Sequence, residues 1–136
     1  MKTHHRVAKL AAVGALIALG VIGVGRALAH TVHFESKVTI LVCCDTDGLW
    51  DFGGEVSSPK ARCEPHRTVK LFRKRSGPDQ LMGRDETDSQ GGWQVEPNPS
   101  PAGTYYARVT RKDIGGPGHD HICDPDRSPD LQVPAP

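Results

Sequence analysis

The chain has 136 residues, with 17 Lys and Arg against 16 Asp and Glu, and a formal net charge of +1 with histidine neutral. That balance excludes a globally basic nucleic-acid binder. The length allows one modest domain.

The first 29 residues read as a cleavable export signal. Lys2, Arg6 and Lys9 form a positive start with no acid nearby. Residues 10–25 are uncharged and built from Ala, Val, Leu, Ile and Gly. Ala27-Leu28-Ala29 is a small-x-small cleavage site. The alternative is an uncleaved anchor, but the apolar run is shorter than the about 20 residues of a membrane span. No Cys sits at the cleavage site, so a lipid anchor is not indicated. Cleavage after Ala29 leaves residues 30–136. Of the 17 basic residues, four (Lys2, Arg6, Lys9 and Arg26) leave with the signal, and no acid does. The remaining 13 basic and 16 acidic residues carry a net charge of −3.

Residues 30–136 are expected to form one all-β domain, with its core over about 36–134. Helical periodicity is missing, and Gly and Pro recur every ~8–12 residues. Residues 36–43 alternate, with Val38, Ile40 and Val42 on one face. Residues 44–49 form a polar turn. Residues 50–57 form a second strand, where Gly53 and Gly54 mark a bulge or bend. Residues 58–66 are a loop carrying Cys63, and 67–74 a third strand with Val69 and Leu71 on one face. Residues 80–87 form a fourth strand, 88–92 a hairpin turn and 92–95 a short fifth strand. Residues 96–102 hold three prolines and cannot be a central strand. Residues 103–111 form the clearest strand, with Tyr105, Ala107 and Val109 on one side. A Gly-rich loop over 112–121 and a last strand over 129–133 complete about seven antiparallel strands. The expected fold is a Greek-key sandwich of two sheets.

All four cysteines (Cys43, Cys44, Cys63 and Cys123) lie beyond the signal, where an oxidising compartment favours pairing. Three connectivities are open. A vicinal Cys43–Cys44 ring is strained. A Cys63–Cys123 bridge flanks the main strand pattern and would stabilise by about 3–4 kcal/mol through loop closure. No Cys-x-x-Cys redox motif is present.

Thr87-Asp88-Ser89-Gln90-Gly91-Gly92-Trp93, followed by Gly103-Thr104-Tyr105-Tyr106-Ala107-Arg108-Val109, resembles a carboxypeptidase regulatory-like (prealbumin-like) domain. More narrowly, the chain is similar to a group of secreted bacterial proteins. The shared pieces are Phe52-Gly53-Gly54-Glu55-Val56, Cys63, Arg67-Thr68-Val69-Lys70-Leu71 and Gly118-His119-Asp120-His121-Ile122-Cys123. The resemblance covers about residues 36–134. It implies an immunoglobulin-like or prealbumin-like sandwich in which Asp88 and Gly91 make a turn, and Trp93 and Tyr105 fill the core from adjacent strands. It also implies a folding or binding appendage without catalytic residues. Cys43-Cys44 departs from the pattern. Related transthyretin-like hydrolases use a Tyr-Arg-Gly-Ser end, whereas this sequence ends Leu-Gln-Val-Pro-Ala-Pro, so that activity is not carried over.

Four groups carry chemistry worth weighing. Cleavage after Ala29 would give His30 both an α-amine and an imidazole, donors that suit Cu(II), with His33, His119 or His121 completing a site. The opposing reading is an arbitrary, frayed terminus. His119 and His121 alternate on one strand and share a face, which would suit Zn(II), against an ordinary polar loop. Asp45, Asp47 and Asp51 surround a Gly turn and could hold Ca²⁺, but the spacing is not that of an EF-hand, and an Asp-rich turn is favoured. Lys60, Arg62, Arg67, Lys70, Arg73, Lys74 and Arg75 could contact an anionic cell-wall or envelope polymer or lipid headgroups, against a solvated strand edge. The expectation is an exported, non-catalytic binding or structural module at the cell envelope. A copper- or zinc-binding exported protein is the alternative.

Overall fold

The computed structural model describes residues 29–43 and 50–135. Residues 1–28 of the expected signal segment, Cys44, Asp45 and Asp47 lie outside the described residues. What is described is all-β. Its strands are β1 (His30–Phe34), β2 (Lys37–Val38), β3 (Leu41–Cys43), β4 (Asp51–Ser57), β5 (Thr68–Arg73) and β6 (Gln80–Glu86). They continue with β7 (Gly92–Val95), β8 (Gly103–Val109), β9 (Lys112–Asp113), β10 (His119–Cys123), β11 (Asp126–Arg127) and β12 (Leu131–Val133). One 3₁₀ turn, Ala61–Cys63, interrupts the loop before β5.

Two antiparallel ladders carry the sandwich. In the first, β8 and β6 flank β5, and both β11 and β12 pair with the far side of β8. In the second, β4 is central, with β2 and β3 along one side and β7 along the other. The strands exceed the expected seven for two physical reasons. The first is that the expected 36–43 strand is broken in the middle, and a short strand, β11, precedes the expected last strand. Between β2 and β3, the Thr39 hydroxyl accepts the Glu55 amide at 2.9 Å in place of a ladder carbonyl. The backbones approach so closely there that a Cβ on Gly54 would lie 2.2 Å from the Thr39 carbonyl. Between β11 and β12, Pro129 has no amide to donate, and the Ser128 hydroxyl accepts the Ala107 amide at 2.9 Å.

The second reason is a small third sheet, β1–β10–β9. Residues 112–121, expected as a loop, are instead largely the β9–β10 hairpin, and β1 lies parallel to β10. The expectation of a purely antiparallel fold is corrected at this pair.

Alternation sorts the side chains as expected for half-buried strands. Val38, Phe52, Val56, Trp93 and Val95 from the second ladder share one core with Val69, Leu71, Tyr105, Ala107, Val109 and Val133 from the first. Trp93 and Tyr105 belong to different ladders, so they fill the core from opposite layers rather than from adjacent strands. Phe52 and Tyr105 rings meet at 4.5 Å between centroids. The turn before β7 forms as its residues dictate. Asp88 Oδ1 accepts the amides of Gln90 and Gly92 at 2.8 and 2.9 Å, and Gly91 takes φ +84°. Glycine is required there, because a Cβ would sit 2.3 Å from the Val56 carbonyl.

Candidate functional site

The third sheet is built over a second, smaller core. Cys63 and Cys123 form a disulfide across a sequence separation of 60, with Cα atoms 5.5 Å apart. Both are fully buried, and Ile114 and Phe34 pack with them. The bridge joins the 3₁₀ turn before β5 to the end of β10. It therefore fastens the third sheet to the sandwich. Only the backbone of Cys43 is described, opposite Asp51.

Above this core the parallel register gathers three histidines. His30 pairs with His119, Val32 with His121 and Phe34 with Cys123. In a strand, alternate residues point the same way. His30 and Phe34 therefore share a face with His119 and His121, on the side of the disulfide. Nδ1 of His30 and Nδ1 of His119 are 3.3 Å apart, and their ring centroids 4.6 Å. The His121 ring lies 6.2 Å from His30 and 6.5 Å from His119. Phe34 meets His121 edge-on at 5.7 Å. The three rings line one shallow depression with Arg62, Ile114, Gly115 and Gly116. A Cβ on Gly115 would lie 2.0 Å from the His119 carbonyl, so the hairpin floor must be glycine here. As the side chains stand, no three His, Cys, Asp or Glu among the described residues are closed around one metal position.

The other predicted site residues fall elsewhere. His33 points to the opposite face of β1 and pairs with Asp124 at 2.7 Å, so it is separated from the cluster it was weighed with. Asp51 opens β4, and its proposed partners Asp45 and Asp47 lie outside the described residues.

The basic stretch is not one surface. β5 lies between β6 and β8, so the expected solvated edge is an interior strand. Lys60 sits 5.6 Å above the Phe34 ring, Lys74 pairs with Asp130 at 2.8 Å, and Arg73 donates to the Ala102 carbonyl at 2.7 Å.

Arg67 is the largest departure, being only 1% exposed. Its Nε and Nη2 donate to the Thr110 carbonyl at 3.1 and 2.6 Å. Nη1 donates to the Cys63 carbonyl at 2.6 Å and to the Ser36 hydroxyl at 3.0 Å. Nη2 also reaches the Asp124 carbonyl at 2.9 Å. Burial lowers its pKa, and the nearby Asp124 carboxylate partly offsets this. The fork geometry of a guanidinium suits several converging acceptors in a way an ammonium cannot match. Arg67 is thus a clamp between the disulfide, the third sheet and the sandwich. The signal for it was in the sequence, since Arg67, just ahead of β5, alternates with Val69 and Leu71 and falls on their inward face.

The arrangement defines a disulfide-stapled all-β protein with a three-histidine surface cluster over its staple. No family model, curated protein or solved structure matches the chain.

Proposed function

We propose that this chain is an exported β-sandwich module of the carboxypeptidase regulatory-like (prealbumin-like) kind, with a non-catalytic binding or structural role at the cell envelope. The observation that carries the reading is the fully buried Cys63–Cys123 disulfide. Such bridges persist in oxidising compartments and are rare where thiol buffers keep cysteines reduced. The positive, apolar and small-residue segments of the first 29 residues supply the matching route out of the cytoplasm. The Asp88–Gly91 turn supports the resemblance, and Trp93 and Tyr105 both fill the core, though from opposite layers.

The test is fractionation of cells producing the full chain with a short epitope at its C-terminus. The expected result is a processed form outside the cytoplasm that sediments with washed envelope fragments. An unprocessed form confined to the cytoplasm would overturn export. A processed form that stays wholly in the supernatant of those fragments would overturn the envelope role.

A further inference from the structure

We propose that His30, His119 and His121 form a binding site for one divalent late first-row transition metal ion, Zn(II) or Cu(II). The inference goes beyond the envelope-module reading and stands on the geometry of the third sheet alone.

Imidazole nitrogen is a favoured ligand of both ions. Parallel pairing of β1 with β10 places His30 directly opposite His119, and strand alternation brings His121 to the same face. The decisive distance is the 3.3 Å between the Nδ1 atoms of His30 and His119. Zinc–nitrogen bonds of about 2.0–2.1 Å, set tetrahedrally, place neighbouring ligand nitrogens about 3.3–3.4 Å apart. Two ligands are therefore already spaced as one edge of such a site. Around a tetrahedral ion, imidazole ring centres lie about 5 Å from one another. The His30–His119 pair is at 4.6 Å, and the His121 ring is at 6.2 and 6.5 Å from them. Closing the third ligand thus takes a ring displacement of about 1.5 Å, within the reach of side-chain torsions. The buried disulfide core beneath anchors the end of β10, and the parallel β1–β10 ladder sets the backbone spacing of His30 and His119 without the metal.

Three imidazoles leave a fourth position open. Cleavage after Ala29 would add the α-amine of His30 as a donor beside its own ring. Arg62 lines the same depression. Its positive charge opposes a bare cation and favours an anion bound at the open position. Asp120, between the two β10 histidines, points to the opposite face by alternation, and Asp124 is taken by His33.

The test is competition of the untagged full-length protein against a chromophoric chelator, with Zn(II) and Cu(II) titrated separately. Four variants accompany the wild type: His30→Ala, His119→Ala and His121→Ala in the site, and His33→Ala as a control outside it. Loss of a group that only orients a ligand already costs about 10–100-fold in metal affinity, so loss of a ligand should cost at least about tenfold. The expected result is one ion per chain whose affinity falls at least about tenfold in each site variant and is unchanged in His33→Ala, with Cu(II) tighter than Zn(II). Circular dichroism and an intact disulfide confirm that each variant is folded. Equal affinities in the wild type and all three site variants, or no binding by the wild type, would overturn the proposal. So would an equal loss in His33→Ala.

Discussion

Replacing Arg67 with Met removes the guanidinium while keeping most of the apolar stem. Five hydrogen bonds disappear, two to the Thr110 carbonyl and one each to the Cys63 carbonyl, the Asp124 carbonyl and the Ser36 hydroxyl. Each buried acceptor left without a donor costs about 1–3 kcal/mol. Three carbonyls are affected, while removing a desolvated charge gives some of this back. The expected net loss is about 3–5 kcal/mol. At about 4 °C per kcal/mol for a domain of this size, the melting temperature falls by about 12–20 °C. Arg67→Lys keeps the charge but offers one compact donor group instead of a fork, so it should lose roughly half as much. The assay is thermal and urea unfolding of the oxidised protein followed by circular dichroism. Amide exchange adds a local readout. Because the acceptors flank the third sheet, protection should fall first in β1 and β10. An Arg67→Met protein within about 1 kcal/mol of wild type would refute the clamp.

The same structure sets further expectations. Gly91→Ala forces a Cβ toward the Val56 carbonyl at positive φ and should cost at least about 2 kcal/mol in urea unfolding. Cys63→Ser with Cys123→Ser removes the closure of a long loop and should lower stability by about 4 kcal/mol, a loss that reductant reproduces in the wild type and does not deepen in the double variant. Asp130 accepts hydrogen bonds from Lys74 and Arg127, which hold its pKa below the ordinary carboxylate value. A lowered folded pKa means stabilisation that is complete above the unfolded pKa of about 3.9 and is lost as pH falls through the folded value. Asp130→Asn should therefore flatten the acid side of the stability–pH profile below about pH 4 and leave the neutral side unchanged in slope.

The strands from β4 to β8 were legible because their signals are local. Gly and Pro punctuate them, and the core residues Val69 and Leu71, and Tyr105, Ala107 and Val109, fall on alternate positions. The Asp88–Gly91 turn was legible for the same reason. The third sheet was not. His30 to Phe34 reads as the loose beginning of a domain, and His119 to Cys123 as the tail of a Gly-rich loop. Their pairing joins segments far apart in the sequence, and no local pattern announces it. The break at Thr39 and the short β11 ahead of Ser128 were hidden because a side-chain hydroxyl takes over a ladder bond without changing the apolar alternation. Arg67 was misplaced by residue type, since charge was weighed above its inward position beside Val69 and Leu71. The sequence weighed His30 with His33, His119 or His121; the parallel register places His30 beside His119 and His121, and alternation along β1 turns His33 to the other face.

Export and the buried staple stand or fall together in one measurement. The intact mass of the protein recovered from producing cells, with alkylation before and after reduction and mapping of the linked peptides, reports both. The expected result is a chain beginning at His30 in which Cys63 and Cys123 are recovered as one cross-linked peptide. A chain still beginning at Met1, with Cys63 and Cys123 open to alkylation without reductant, would contradict the account.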